Sequence, residues 1–250
     1  MERDDQRKIE RLGTLLRSMR RGVAFTGAGL STGSGIPDFR SPGGLWTRHR
    51  PIDFDSFLSS AESRREAWRR KFAIDDATNG AAPNAAHRAV ARLVEQGGIA
   101  TVVTQNIDGL HQASGVTGEK LIELHGNGTY ATCLDCGARH ELAEIRPGFE
   151  ATGEPPACRI CGGFVKSATI SFGQPMPAEA MRRAQDAARE ADVFLVLGSS
   201  LVVYPAAALP VSAKQAGAAL VIANREPTDL DPIADLVLRT DLVALLAPFA

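Results

Sequence analysis

Short apolar segments alternate with helical patterns along most of the chain. The first segment is Val23-Ala24-Phe25. Four further strand candidates occupy residues 99–103, 121–124, 193–197 and 220–223, and a weaker sixth candidate occupies residues 236–238. They are rich in Val, Ile and Leu, which is typical of strands buried on both faces of a parallel sheet. Helical stretches between several of them, for example over 177–190 and 205–215, predict an α/β fold built on a Rossmann-like, doubly wound parallel sheet.

Two helices are predicted on either side of the first strand. Apolar residues recur at helical spacing through the first 20 residues, which predicts an amphipathic helix. A second helical pattern follows Asn84, a residue type that favours the N-cap position, and ends at Gly97-Gly98.

Two stretches interrupt the alternation of strands and helices. Residues 41–83 contain both tryptophans and an Arg-rich helical piece over 64–72, and residues 127–169 contain all four cysteines. We therefore predict a Rossmann-type core formed by residues 1–40, 84–126 and 170–250. A helical excursion over 41–83 and a small inserted module over 127–169 would extend from that core.

Composition narrows the class of protein. The chain has 250 residues, of which 44% are hydrophobic and 23% are charged, with a formal net charge of −1. This balance suits a globular domain with a sizeable core. A strongly basic nucleic-acid-binding protein is therefore not the default interpretation. The first eleven residues show no secretory signal, and no apolar run approaches the roughly 18 residues of a membrane span. A cytoplasmic enzyme is the expectation.

The cysteines form two CxxC pairs separated by 21 residues, and no cysteine is left over: Cys133, Cys136, Cys158 and Cys161. Thiolates bind Zn²⁺ tetrahedrally, and each CxxC pair supplies two ligands. Four cysteines leave no open coordination position, so the pattern predicts one closed, structural zinc site in the module over 127–169. Redox-active pairs are the alternative, and disulfides are the weaker explanation in a chain without an export signal.

Polar or glycine-rich motifs follow the predicted strands. Glycines allow the main chain to approach a pyrophosphate closely, and a helix start after the first motif would add amide donors and partial positive charge. Each motif alone also fits an ordinary turn or a polar strand end, but together they indicate ligand binding at one rim of the sheet. In chain order they are Gly27-Ala28-Gly29-Leu30-Ser31, Thr104-Gln105-Asn106-Ile107-Asp108-Gly109-Leu110-His111, Leu124-His125-Gly126, Gly198-Ser199-Ser200-Leu201 and Asn224-Arg225-Glu226.

His125 is the candidate general base among the five histidines. A histidine side chain suits proton transfer near neutral pH, and the end of a predicted strand delivers His125 to the ligand cleft. His87 lies within the predicted helix after Asn84, and we expect it to be structural.

Taken together and in this order, these motifs resemble those of the sirtuin family. The resemblance extends over roughly residues 9–249 and adds residues 35–40, Gly-Ile-Pro-Asp-Phe-Arg, which in isolation favour a surface loop. It implies removal of acyl groups, most simply acetyl groups, from protein lysine side chains, with NAD⁺ split into nicotinamide and O-acyl-ADP-ribose. The partner would be an acyl-lysine protein or peptide. We expect no direct nucleic-acid binding, no membrane contact and a monomer.

The resemblance assigns roles residue by residue. His125 would act as general base toward a ribose hydroxyl, Asn106 would orient the nicotinamide ribose, and Asp108 would bind the carboxamide of nicotinamide. These three residues form the predicted catalytic set. The residues expected to bind NAD⁺ are Gly27, Ala28, Ser31, Asp38, Phe39, Arg40, Gln105, Asn106, Ile107, Asp108, Gly198, Ser199, Ser200, Asn224, Arg225, Glu226 and Asp241.

The resemblance also implies where the substrate lies. The peptide would add as a strand between two main-chain edges, Phe172-Gly173 and Val203-Tyr204. The acyl-lysine side chain would enter a tunnel whose candidate lining residues are Phe39, Ile107 and Ile170.

The sequence departs from the sirtuin pattern in three places. Ser167 stands where the family often has proline, and Gln174 stands where it often has an acidic residue, so the peptide preference stays open. Trp68-Arg69-Arg70-Lys71 occupies the region of the Tyr/Arg pair that marks the desuccinylase-like branch, which disfavours acidic acyl groups, although Lys71 offers a positive charge. An ADP-ribosyltransferase or NAD⁺ hydrolase on the same scaffold is the alternative function.

Overall fold

A computed structural model describes residues 2–38 and 50–250. Six strands form one parallel sheet in the order β3-β2-β1-β7-β8-β9, and three form an antiparallel sheet in the order β5-β4-β6. All six predicted strands are present with ends shifted by at most one residue, which confirms the α/β prediction. The strands are β1 (Gly22–Thr26), β2 (Ile99–Thr104), β3 (Leu121–Glu123), β4 (Gly126–Cys133), β5 (Arg139–Glu141), β6 (Val165–Thr169), β7 (Val193–Leu197), β8 (Ala219–Ala223) and β9 (Leu236–Leu238).

The order of the parallel strands defines where a ligand can bind. The chain winds outward from β1 in one direction through β2 and β3, and in the other direction through β7, β8 and β9. The connections that leave the adjacent strands β1 and β7 therefore diverge toward opposite faces of the sheet. Open α/β sheets bind ligands in the crevice that forms at this reversal, outside the carboxyl ends of the strands.

Helices cover both faces of the parallel sheet. The predicted N-cap is confirmed, because the side chain of Asn84 accepts hydrogen bonds from the amides of Ala86 and His87. No helix within residues 2–38 and 50–250 combines the length and the apolarity that crossing a membrane requires. The helices are α1 (Glu2–Ser18), α2 (Phe54–Ser59), α3 (Ala61–Ala77), α4 (Ala85–Glu95), α5 (Leu110–Ala113), α6 (Leu142–Thr152), α7 (Ala178–Glu190), α8 (Leu209–Gln215) and α9 (Leu242–Leu246).

The burial of the strands explains their uninterrupted apolar sequences. Successive side chains of a strand point to opposite faces, so Val23 and Phe25 pack against α7 and α8, whereas Ala24 packs on the side of α1, α4 and α9. Burying a side chain as large as Phe25 stabilises a fold by about 1.5–3 kcal/mol. Because both faces are covered, apolar residues fill most positions along these strands, and the buried Thr26 and Thr104 lie at their carboxyl ends.

The antiparallel sheet has an apolar core of its own. Trp68 and Phe72 of α3 pack there with Ile145 of α6 and Val165 of β6. The Trp68 side chain is buried, and its Nε1 donates a hydrogen bond to the carbonyl of Val165 at 3.3 Å. The helical excursion and the cysteine-containing segment therefore share one core. The boundaries at residues 40, 83, 126 and 169 stay predictions.

The loops after β1 and β7 touch through their main chains. The amide of Gly29 donates to the carbonyl of Gly198 at 2.9 Å. A Cβ atom on Gly27 would lie 2.6 Å from the Gly198 carbonyl oxygen, and a Cβ atom on Gly198 would lie 2.5 Å from the Leu30 amide nitrogen. Only glycine fits at both positions, so these two residues allow the loops to meet at the crevice.

The segment after Gly27 differs from the prediction. Instead of a helix start, the chain forms two three-residue 3-10 turns, Ala28–Leu30 and Thr32–Ser34. Gly35 ends the second turn with a left-handed φ of +83°. A helix macrodipole needs aligned peptide groups over several turns, so the helix charge expected after Gly27 does not form here. The amides of Gly29, Leu30 and Ser31 donate to main-chain carbonyls of the protein.

We expect Gly198→Ala to lower the free energy of unfolding by more than Gly97→Ala does. Both glycines have left-handed φ angles, +71° and +79°, so each alanine carries that conformation's cost of about 1–2 kcal/mol. Only the new Cβ at position 198 also meets main-chain atoms, whereas position 97 faces open space. Chemical denaturation measures the difference, and equal losses would contradict the role of the close contact.

Candidate functional site

Three polar side chains from different segments meet at the carboxyl ends of β1 and β2. Ser31 Oγ donates to Asp108 Oδ2 at 2.6 Å, and Asn106 Nδ2 lies 3.2 Å from Ser31 Oγ and 3.0 Å from the Gly27 carbonyl oxygen. Ser31 and Asn106 are buried, whereas Asp108 and the neighbouring Ala28 are half-buried. The structure thus brings five of the predicted site residues together.

Gln105 connects the ends of β1, β2 and β7. Its amide donates to the Thr26 carbonyl at 2.9 Å, and its Oε1 accepts a hydrogen bond from Ser199 Oγ at 2.6 Å. Ser199 Oγ also accepts from the amide of Leu201 at 3.3 Å. Leu201 has a φ of +57°, a conformation that costs about 1–2 kcal/mol for a residue with a side chain. The Ser199 hydroxyl therefore helps to hold a strained loop, in which Ser200 is half-buried.

His125 lies at the junction of the two sheets, between β3 and β4. Its Nδ1 lies 3.1 Å from the carbonyl oxygen of Gln105. A carbonyl only accepts hydrogen bonds, so Nδ1 carries the proton and the basic lone pair of the neutral ring is on Nε2. The main-chain carbonyl of His125 accepts from the Ile170 amide at 2.8 Å, which ties the histidine to the end of β6.

Two further histidines lie beneath this site, and sequence reasoning gave neither a role in it. His87 is buried on α4 with Nε2 3.5 Å from Ser31 Oγ, and its Nδ1 accepts from the Asn84 amide at 3.4 Å. Burial lowers the pKa of His87, although the Asp108 carboxylate opposes that shift. The spacing Asn84-x-x-His87 marks a capping box and could have indicated an inward-facing histidine. His111 is equally buried, next to His87.

The residues after β8 lie toward the edge of the parallel sheet. Asn224 is buried, and its Nδ2 donates to the Glu226 carbonyl at 2.8 Å. The exposed Arg225 lies 3.1 Å from Asp241 Oδ2, and Asp241 Oδ1 accepts from the Ala244 amide at the start of α9. Asp241 therefore serves as an N-cap, a role that its sequence motif had not indicated.

The residues predicted to contact a peptide are among the most accessible apolar side chains of the described chain. Phe172 is 46% exposed and Tyr204 is 69% exposed, while Val203 is half-buried. The amide of Phe54 donates to the Phe172 carbonyl at 2.8 Å, so this carbonyl is already bonded to the start of α2. Gly173 has a left-handed φ of +80°.

The acyl-tunnel candidates Ile107 and Ile170 are both half-buried. The carbonyl of Ile107 accepts from the Gly128 amide at 2.7 Å, which fixes the main chain between Asn106 and Asp108. Asp38 is half-buried. Phe39 and Arg40 lie outside the described residues.

Three departures from the sirtuin pattern also have defined surroundings. Lys71 forms an ion pair with Asp75 on the same helix, and Trp68 lies in the core of the small module. Ser167 belongs to β6, and Gln174 Oε1 accepts from the Ser171 amide at 3.2 Å. Gln174 thus caps its own turn without adding a charge.

The four cysteines form one compact cluster. Their sulfur atoms all lie within 4.8 Å of one another, with 3.5 Å between Cys133 and Cys161 and 3.7 Å between Cys136 and Cys158. Tetrahedral Zn²⁺ with Zn–S bonds of about 2.3 Å requires sulfur separations of about 3.8 Å, so the cluster fits one zinc ion. The amides of Cys161 and Ile160 lower the pKa of Cys158 to about 6, which favours the thiolate that binds metal.

We expect the purified protein to contain about one equivalent of zinc per chain. Cys158→Ser should lower the metal content and unfold the small module, because Cys133 and Cys158 belong to the same core as Trp68. Ile160→Ser is the matched control, since this side chain lies between two ligands but is 77% exposed. Elemental analysis and tryptophan fluorescence measure both effects. Full zinc content in Cys158→Ser would contradict the four-cysteine site.

We expect the stability of the protein to fall in mild acid because of His111. Burial, with the neighbouring His87, lowers the pKa of His111 from 6.5 to about 3 in the folded chain. Between these pH values the unfolded chain binds the proton more strongly, so stability is full above pH 6.5 and is lost as the pH falls toward 3. The loss between pH 6.5 and 5 is about 2 kcal/mol.

Urea denaturation at several pH values tests this expectation. The free energy of unfolding of His111→Gln should vary less between pH 7 and 5 than that of the wild-type protein. Equal pH dependence in the two proteins would show that His111 carries no such shift.

Comparisons with known proteins agree with this geometry. Residues 27–205 match the model of the Sir2 family. The chain is 54% identical over 241 residues to the NAD-dependent protein deacetylase of Rhodopseudomonas palustris, covering 96% of this chain and 95% of that protein. It is 42% identical over 230 residues to the NAD-dependent protein deacetylase of Thermodesulfovibrio yellowstonii, covering 92% and 89% of the two chains.

Solved structures give the same result. The fold is similar to that of Sir2Tm bound to a propionylated peptide, with a TM-score of 0.85, 36% identity and 96% of each chain covered. It is also similar to a Sir2 protein with a p53 peptide and NAD⁺, with a TM-score of 0.83, 37% identity and 96% of each chain covered. On the strength of its fold, its site and these matches, the chain belongs to the Sir2 family, the sirtuins.

Proposed function

We propose that this protein is an NAD⁺-dependent protein-lysine deacylase, most simply a deacetylase, that produces nicotinamide and O-acyl-ADP-ribose. The proposal depends most on the orientation of His125. Its Nδ1–H is directed to the Gln105 carbonyl, so Nε2 is the basic atom of the ring. This base lies at the same rim as the buried Asn106 and the Asp108 carboxylate. Relatives that are 54% identical are named NAD-dependent protein deacetylases.

The reaction requires a strong electrophile, because an amide oxygen is a weak nucleophile. The acyl oxygen of the substrate bonds to the ribose carbon as the bond from that carbon to nicotinamide breaks. Water would compete for the same carbon, so the site must exclude it. The buried side chains of Ser31, Asn106 and Ser199 form a floor with little access for solvent.

The polar residues at the rim suit the two ends of the nicotinamide riboside. Asn106 and Gln105 would orient the ribose, and Asp108 would accept a hydrogen bond from the carboxamide of nicotinamide. Gly27, Ala28 and Ser31, with Gly198, Ser199 and Ser200, would lie against the phosphates. Asn224, Arg225 and Glu226 would hold the adenosine ribose, with Asp241 near the adenine.

His125 would act after nicotinamide has left. Its Nε2 would accept the proton of a ribose hydroxyl, whose oxygen attacks the acyl carbon and leaves that carbon bonded to two ribose oxygens. The lysine nitrogen would then take up a proton and leave as the free amine. One water molecule would add to the acyl carbon as its bond to one ribose oxygen breaks, which gives O-acyl-ADP-ribose. Because the Nδ1–H bond to Gln105 orients the ring, the protonated imidazole that forms keeps its position.

The two segments predicted to flank the peptide carry no charged side chain. The segment between Lys166 and Glu179 contains no charged residue, and neither does the segment between Asp192 and Lys214. A peptide that adds as a strand beside Phe172-Gly173 and Val203-Tyr204 would therefore be held by main-chain hydrogen bonds and apolar contacts. The ion pair between Lys71 and Asp75 disfavours the use of Lys71 to bind an acidic acyl group. A monomeric state and a cytoplasmic location stay predictions.

We expect His125→Ala and His125→Asn to form O-acyl-ADP-ribose about 10²–10⁴-fold more slowly than the wild-type protein, because neither variant has a general base. The asparagine amide is the matched control, since it can still donate to the Gln105 carbonyl. Exchange of labelled nicotinamide into NAD⁺ should survive partly in both, because it precedes the step that needs His125. Mass spectrometry of an acetyl-lysine peptide reaction measures the product.

Unchanged deacylation in both variants would contradict the assigned role of His125. ADP-ribosylated protein or free ADP-ribose as the main wild-type product, across a panel of acyl-lysine peptides, would favour the transferase or hydrolase alternative.

A further inference from the structure

A chain of buried hydrogen bonds runs beneath Asn106. His111 Nε2 lies 2.9 Å from Thr26 Oγ1, and Thr26 Oγ1 lies 2.8 Å from Thr104 Oγ1. The main-chain amide of Asn106 donates to Thr104 Oγ1 at 3.0 Å. All four residues are at most 6% exposed, so solvent does not compete for these bonds. The chain therefore joins α5, β1 and the end of β2.

The direction of the hydrogen bonds follows from His111 Nδ1. This atom is buried and has no hydrogen-bond partner among the described residues. A buried N–H group without an acceptor is rarer and costlier than a lone pair without a donor, so the proton is on Nε2. Nε2–H then donates to Thr26, and the single hydroxyl proton of Thr26 is directed to Thr104. The pKa of His111, lowered by burial to about 3, agrees with a neutral ring.

The same short helix carries His111 and begins next to the predicted carboxamide contact. Asp108 Oδ1 accepts from the Leu110 amide at 2.9 Å, which starts α5, and His111 follows within the first turn. A displacement of His111 would therefore move both ends of the segment from Asn106 to Asp108. The Asn106 side chain has its own contacts to Gly27 and Ser31, so the hydroxyl chain fixes its main chain independently.

We propose that His111 is a positioning residue for deacylation, which orients the Thr26–Thr104 hydroxyl pair and through it holds Asn106 against the nicotinamide ribose. The inference rests on the proposed function above. The buried His111 would contact neither NAD⁺ nor substrate. Its effect comes from the position of Asn106, and misplacing a reacting group by about 1 Å costs on the order of a hundredfold in rate.

Substitutions along the chain test this assignment. His111→Leu fills the same space without a donor, and Thr26→Val removes only the hydroxyl. We expect each to lower kcat by about tenfold to a hundredfold, measured as nicotinamide release from NAD⁺ and an acetyl-lysine peptide. The double variant should lose no more than the larger single loss, because both changes break one chain.

Two controls separate positioning from general destabilisation. His111→Gln can place an amide donor near the position of Nε2, so we expect it to recover most of the lost kcat. Val116→Ala removes buried apolar volume next to α5, where the Val116 amide donates to the His111 carbonyl, but leaves the polar chain intact. This variant should have a lower thermal midpoint, but its kcat should stay within about twofold of the wild-type value. A change of that size is far smaller than the loss of about a hundredfold that follows from misplacing a reacting group.

The outcomes are distinct. A folded His111→Leu with kcat near the wild-type value contradicts the inference alone. If that variant does not fold, Thr26→Val with an unchanged kcat contradicts it equally, and so does a Val116→Ala loss as large as that of His111→Leu. A wild-type protein that releases no nicotinamide with any acyl-lysine peptide contradicts the proposed function, and with it the inference.

Discussion

The main-chain contact between the loops after β1 and β7 is the constraint on which the site depends. Gly27 and Gly198 approach so closely that a single Cβ atom at either position would overlap the opposing main chain. The contact closes the floor of the crevice where the strand order reverses. It also brings Ser31 on one loop and Ser199 on the other to the same crevice, and Gln105 at the end of β2 bonds to Ser199 and to the Thr26 carbonyl.

Above this floor the protein buries an unusual density of polar side chains. A buried polar group without a partner costs about 1–3 kcal/mol, and the side chains around Ser31 are bonded in defined directions. Ser31 donates to Asp108, accepts from Asn106 and lies beside His87. The two buried histidines stay neutral and contribute hydrogen bonds without adding charge. Side chains that are already bonded in this way lose little freedom when a ligand binds, which lowers the cost of binding.

The small module meets the site at the junction of β3, β4 and β6. His125 ends the link from β3 to β4, and its carbonyl is bonded to Ile170 at the end of β6. The strands β4 and β6 are held together by their own hydrogen bonds and by the core that contains Cys133 and Cys158. The core around the cysteine cluster supports β4 and β6, which adjoin His125 and Ile170.

The sequence by itself determined the parallel sheet, the four-cysteine cluster and the polar motifs that follow the strands, because these depend on local patterns. Buried strands, CxxC spacing and the N-cap at Asn84 are each specified within a few residues. Only the tertiary structure decided the 3-10 turns after Gly27, the cap role of Asp241, the shared core of Trp68 and the cysteine module, and the place of His87 and His111 beneath the site. The shared core and the places of the two histidines arise from contacts between segments far apart in the chain. The 3-10 turns and the Asp241 cap use hydrogen bonds between near neighbours, but each also has a contact from a distant segment, Gly198 to Gly29 and Arg225 to Asp241. The direction of a hydrogen bond depends on which partners burial leaves within reach.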